Sequence, residues 1–205
     1  MLSSELTVQA IRLAEQLLQL FADAEVKGLL ALMWLQQSRS QARLDAAGDV
    51  VLLAEQNRAL WDQQLIRQGI ELIEQALQAG RVGPYALQAA IAAVHAESPS
   101  AGQTDWAQIV ALYDLLYRLQ PSAVVALNRA VAICQQQGAE AALALLLPLQ
   151  PQLASYHLYY AALADCYKKS QQPEQAQQAL SQALALCQQE PERRLLQRQL
   201  QQLQR

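Results

Sequence analysis

Residues 83–121, GPYALQAAIAAVHAESPSAGQTDWAQIVALYDLLYRLQP, read as two helices joined by a polar elbow, and the rest of the chain repeats that design. Pro84 follows Gly83, and proline suits the first turn of a helix because its missing N–H had no intrahelical partner there. Leu87, Ala90, Ile91, Val94 and His95 then recur at spacings of three and four, which makes one face apolar. Glu97-Ser98-Pro99-Ser100 breaks the helix, since a residue before proline is pushed out of the helical region. Thr104-Asp105 is the start signal of the second helix. Either side chain can cap the first-turn N–H groups, and Asp105 also complements the positive helix end. Ile109, Leu112, Leu116 and Leu119, with Tyr113 beside them, are expected to supply its buried stripe, and Pro121 to end it.

The 205 residues are 53% hydrophobic, enough for a continuous core, and seven glycines with abundant Ala, Leu and Gln favour helix throughout. A formal net charge of -3 argues against a face that binds DNA by neutralising phosphates. Arg193, Arg194, Arg198 and Arg205 alternate with Gln and Leu, so they read as a solvated helix face. Cys134, Cys166 and Cys187 are odd in number and lack CxxC pairing, which indicates neither a disulfide framework nor a zinc site; they read as core residues of a reducing cytoplasm. No signal-peptide region and no apolar run of membrane-spanning length is present, and a cytoplasmic location is expected.

Outward from the elbow, Ser3 or Ser4 is a candidate cap for a first helix with Ile11, Ala14, Leu18 and Phe21 among its apolar positions. Asp23 precedes a second helix so apolar around Leu29, Leu30, Leu32, Met33 and Trp34 that it should be buried on more than one side. ARLDAAGDVVLL, residues 42–53, carries a turn signal at Ala47-Gly48-Asp49 and reads as a small hairpin or structured loop. Asp45, Gly48 and Asp49 suggest calcium, but an EF-hand's bidentate glutamate would fall near Gln56 and other ligand positions are Ala or Val. Arg58, Trp61 and Asp62 lead into a helix from Leu65 to Leu77, ended by Gly80 as a left-handed cap; Trp61 reads as a core anchor under the loop.

The C-terminal half aligns on itself with a period of 34. Tyr160, Leu163, Ala164, Tyr167, Ala176, Leu180 and Ala183 occupy the signature offsets of a tetratricopeptide repeat that begins at His157. One period earlier stand Ala126, Arg129, Ala130, Ile133, Ala142, Leu146 and Leu149. Two periods earlier, Ala92, His95, Ala96, Gln108, Leu112 and Leu115 make a weaker match that keeps the helix pair. The expected fold is all-α: antiparallel helix hairpins stacked as a tetratricopeptide-like right-handed solenoid, with a loop or β-hairpin insertion near 43–53. Residues 1–82 form an N-terminal helical region and 83–205 the repeats, as one continuous domain closed by a capping helix from Glu192 to Gln204.

Chemistry-bearing residues are few. His95, Glu97 and Asp105 lie near one another in sequence at the elbow, but no nucleophile or glycine-rich loop accompanies them, and His95 reads as a hydrogen-bonding bridge between helices. His157 stands near Tyr156, Tyr159 and Tyr160. That group, with Tyr167, is either a peptide-binding strip or part of the core. No phosphate loop, HExxH or GxSxG is present, so no enzyme, metal or cofactor is expected.

Three blocks in order, GLLALMWLQQSRSQARLDAAGDVVLLAEQNRALWD, GPYALQAAIAAVHAESPSAGQTDWAQIVALYDLL and PSAVVALNRAVAI, closely resemble the C-terminal extension of a group of bacterial extracytoplasmic-function (ECF) sigma factors. That extension is a helical, tetratricopeptide-like domain, and the resemblance runs from about Ala10 to the last helix. It implies a cytoplasmic role in transcription initiation, through contacts with the sigma-factor core segments or RNA polymerase, with no cofactor. The sigma segments that grip polymerase and read the −10 and −35 elements are not recognised here, so no direct nucleic-acid contact is implied. The matched motif positions are Arg43, Asp45, Gly48, Trp61 and Asp62, then Gly83, Pro84, His95, Glu97, Asp105 and Trp106. The alternative is a stand-alone adaptor that binds a partner's peptide or helix through Tyr160 and Tyr167.

Small residues at the repeat offsets let paired helices approach closely. Ala164→Leu and Ala130→Leu are therefore each expected to destabilise by about 1–3 kcal/mol through overpacking; urea unfolding measures this, and unchanged midpoints in both would remove the repeat register.

Overall fold

The computed structural model describes residues 2–80 and 82–203, and every regular element among them is helical. The chain divides into two compact units, Met1–Arg43 with Leu52–Gln120, and Leu44–Val51 with Pro121–Arg205. The first holds α1 (Leu2–Leu20), α2 (Ala24–Ser38), α3 (Gln63–Gln78), α4 (Pro84–Glu97) and α5 (Trp106–Leu119). The second holds α6 (Ala123–Gln137), α7 (Ala139–Leu146), α8 (Gln150–Leu153), α9 (His157–Lys169), α10 (Pro173–Leu186) and α11 (Glu190–Leu203). The boundary falls at Gln120 and Pro121, not at 82 and 83, because α4 packs on α2, α3 and α5.

In the first unit α2 is the central helix, in contact with α1, α3 and α4, as its apolar circumference requires. Glycine permits two of these approaches. A Cβ on Gly28 would lie 2.5 Å from the Ala86 backbone nitrogen, and one on Gly69 would lie 2.8 Å from Leu35 Cγ. The N-terminus of α4 meets Glu25 of α2, whose carboxylate accepts from the Tyr85 and Ala86 N–H groups at 2.9 and 3.1 Å. The starts of α2, α3 and α5 are capped by Asp23, Asp62 and Asp105. The proposed Ser3 or Ser4 cap involves side chains outside the described residues.

The second unit contains the helix pairs α6/α7 and α9/α10 of the expected repeats. Ala130, Ala142, Leu146, Ala164, Ala176, Leu180 and Ala183 are all buried in its core. The copy nearest the N-terminus departs from the register. In α5 Gln108 and Leu115 are exposed while Ile109, Val110 and Leu116 are buried, so the 34-residue register does not extend to this pair. Leu119 is also exposed, in the last turn before Pro121, and Phe21 lies past the end of α1 in solvent.

The 42–53 segment is a loop with a single antiparallel bridge, Leu44 to Val50. Asp45 Oδ1 accepts from the Ala47 and Asp49 N–H groups, both at 2.9 Å, and Gly48 takes the positive φ that the turn needs. Arg194 and Arg198 of α11 both pair with Asp49, the latter at 3.0 Å, and Arg193 donates to the Leu184 and Cys187 carbonyls at the end of α10. The basic cluster thus tethers the loop and the end of α10 while its side chains stay partly in solvent. Arg205 lies outside the described residues.

Gly28→Ala sets a new methyl against the backbone of α4 and is expected to cost about 1–3 kcal/mol. Gly102→Ala, which meets nothing within 4 Å, should stay within about 0.5 kcal/mol of the parent in the same denaturation experiment.

Candidate functional site

The end of α2 spells Gln36, Arg39 and Arg43 at spacings of three and four, which places the three side chains on one side of the chain as the helix runs out. Gln36 Oε1 accepts from Arg39 and from Arg43, both at 2.7 Å, and Arg43 also donates to the Gln36 carbonyl at 3.0 Å. Burial, and then the neighbouring Arg43 charge, lower Arg39 to about 10, so it remains a cation at neutral pH. A third cation approaches from the turn Arg58–Leu60. Arg58 Nη1 donates to the carbonyls of His95 and Ser98 at 2.6 and 2.8 Å, filling the acceptors that α4 leaves free at its C-terminus. Its guanidinium lies 4.5 Å from the centre of the Trp61 ring.

Trp61 is 4% exposed, and its Nε1–H has no hydrogen-bond partner among the described residues. It lines a cavity of about 40 Å³ together with Leu35, Gln36, Arg39, Leu53, Ala92, His95 and Ala96. That space suits a water or two, far below the several hundred cubic ångströms that bury a small-molecule substrate. His95 turns its ring edge-on to Trp106 at 5.3 Å, so it joins α4 to α5 by ring packing, with its carbonyl and not its imidazole meeting Arg58. Burial first, then the charges of Arg58 and Arg39, hold the imidazole down at about 4.

Of the residues singled out in the sequence, Arg43, Trp61, His95 and Trp106 belong to this neighbourhood. Asp45 serves its own loop, Asp105 accepts from the Gln108 N–H as the cap of α5, and Glu97 is exposed. Tyr160 and Tyr167 lie in the other unit, half-buried against its core beside the fully buried Tyr159. Glu25, Gln36 and Arg39 were missed. The Gln36, Arg39, Arg43 spacing is present in the sequence, but Arg43 falls in the 42–53 segment that reads as a loop, so helical periodicity does not group the three.

All three cysteines are buried and free, as expected of core residues. Cys166 and Cys134 nevertheless meet at 3.5 Å, because α6 and α9 lie side by side. The Cys166 thiol, and then Lys169, hold the Cys134 thiol below its ordinary pKa.

Residues 1–77 match the model of a family of unknown function (DUF6596). The chain is also similar to the uncharacterized protein R00370 of Rhizobium meliloti (strain 1021), with 46% identity over 186 residues. The matched stretch covers 90% of this chain and 44% of that protein, so this chain spans less than half the length of its relative.

An unfolded His95 takes up a proton near its ordinary 6.5, whereas the folded one does so only near 4. Between those values the unfolded state binds more protons. The stabilising effect of the neutral ring is complete above about pH 6.5 and is lost as pH falls toward 4. Denaturation at pH 7 and pH 4 should show the parent losing up to about 3 kcal/mol more than His95→Gln; equal losses would mean that the ring titrates normally.

Proposed function

We propose that this chain is the regulatory protein-interaction module of an ECF-type RNA polymerase sigma factor, itself lacking the DNA-binding sigma segments, and that α1 supplies its contact surface. One observation carries the choice of surface. Helix α1 buries Ala14, with Ile11 and Leu18 packed against the core, yet on another side it exposes Leu6, Leu13 and Leu20 at 64, 65 and 75%. Those three recur every seven residues, and Leu17 at 39% lies between them on the same arc. A stripe of leucines that the described protein leaves in water is the mark of a surface that a partner covers, and a helical ridge of this kind fits a groove between other helices.

The partner is the sigma segments. The three-block resemblance supports this identity, and more than half of the relative's length lies outside its match to this chain. The same reading makes the protein non-enzymatic and cytoplasmic, where RNA polymerase works. The adaptor alternative would bind through Tyr160 and Tyr167, which lie half-buried against the core of their unit and leave less apolar surface in water than the leucines of α1.

The test is immunoprecipitation from the source cells with an antibody against this chain, followed by identification of the recovered polypeptides. RNA polymerase subunits or a sigma polypeptide are expected. Replacing the endogenous chain by Leu13→Glu/Leu20→Glu should lower their recovery by about tenfold or more, with an unchanged thermal midpoint because both positions are exposed. Recovery of neither polymerase nor sigma would overturn the assignment, and undiminished recovery with the double variant would remove α1 as the surface.

A further inference from the structure

Where α9 begins, α10 ends and α11 begins, three side chains of different chemistry converge. His157 is the first residue of α9, Cys187 caps the end of α10, and Glu192 lies in the first turn of α11. His157 Nε2 is 2.8 Å from Glu192 Oε2, and Cys187 Sγ is 3.7 Å from the same oxygen. All three candidate ligand atoms lie within 4.8 Å of one another. We propose that His157, Cys187 and Glu192 form a three-ligand site for a divalent transition-metal ion of zinc's preferences, with a fourth position open to water.

Ligand type and geometry both support this. A thiolate, an imidazole and one carboxylate suit Zn²⁺ or Co²⁺, whereas Ca²⁺ and Mg²⁺ require mostly oxygen donors. Around a tetrahedral zinc with its usual bond lengths, sulfur and oxygen lie about 3.6 Å apart and nitrogen and oxygen about 3.4 Å apart. The sulfur–oxygen distance already fits. The nitrogen–oxygen pair must open by about half an ångström, within reach of a glutamate whose side chain is 31% exposed. The Cys187 backbone is held by its N–H to Ala183 and by Arg193 on its carbonyl at 2.9 Å, so the residue itself is fixed beside Glu192. An ion pair between His157 and Glu192 would not by itself bring a thiol to the same oxygen. Binding would replace the Cys187 S–H bond by a sulfur–metal bond and release that proton to solvent. It would also join α9, α10 and α11 at one point, so the metal and the folded unit stabilise each other.

The experiment is a titration of the full chain, freed of metal by a chelator, with Co²⁺ as the probe. One equivalent should produce a thiolate-to-cobalt charge-transfer band with the visible absorption of tetrahedral cobalt, and Zn²⁺ should abolish both. Free zinc at a hundredfold excess over its Kd should raise the thermal midpoint by about 5–10 °C. Cys187→Ser should lose the charge-transfer band. Glu192→Gln, which can still hydrogen-bond His157, should bind cobalt about tenfold or more weakly. Absence of the band from the parent protein, or a band of full intensity in Cys187→Ser, would overturn the assignment. Unweakened binding in Glu192→Gln would overturn the carboxylate's part in it.

Discussion

Helix α4 cannot complete its own ends, and the first unit is arranged around that deficiency. Its sequence is mostly Ala, Leu, Ile and Val; its N-cap is Gly83, which has no side chain, and Pro84 has no N–H. The remaining first-turn donors and last-turn acceptors therefore need partners from outside the helix. Glu25, 60 residues away, takes the Tyr85 donor, and Arg58, 37 residues away, takes the His95 acceptor. A carboxylate at the positive end and a guanidinium at the negative end also agree with the helix dipole. Gly28, one turn after Glu25, lets the backbone of α4 come close enough for the carboxylate to reach it.

The same clamp explains the buried polar neighbourhood. Arg58 must lie at the C-terminus of α4, which brings it over Trp61 and places a positive charge beside His95. Arg39 and Arg43 are each turned onto Gln36. Like charges this close are tolerable because Gln36 offers two acceptors and Trp61 shields one cation with its ring face. The histidine's neutrality is then a consequence of its surroundings, and nothing in the geometry couples it to Glu97 or Asp105. A sequence reading that groups residues because they are neighbours along the chain assembles the wrong set here.

Local signals were the legible part. Asp23, Asp62 and Asp105 start helices where a capping residue should, and Gly80 adopts the left-handed φ expected after α3. The alanines of the two C-terminal helix pairs are buried at the offsets that close packing demands. Long-range pairings were not legible. Nothing near Glu25 announces α4, and nothing near Asp49 announces Arg194, 145 residues later. The third repeat copy failed because its α5 positions, Gln108, Leu112 and Leu115, were set by the period alone, and burial in α5 follows Ile109, Val110 and Leu116 instead. The meeting of Cys187 with His157 and Glu192 was not legible either, because side chains brought together from three helix ends have no characteristic spacing.

The use of charge inside the molecule bears on how it can recognise anything else. Only 16% of the residues are charged, and several of those placed to reach outward are turned inward: Glu25 and Arg58 to α4, Asp49 to Arg194 and Arg198, and Arg193 to the end of α10. What remains outside is rich in Gln, with exposed leucines along α1. Electrostatic steering needs a field of one sign extending beyond the Debye length, about 8 Å at physiological salt. A net charge of -3 dispersed over 205 residues supplies little of it. Recognition by such a surface must come from shape and apolar burial, which favours a partner held at high local concentration over one captured by long-range attraction.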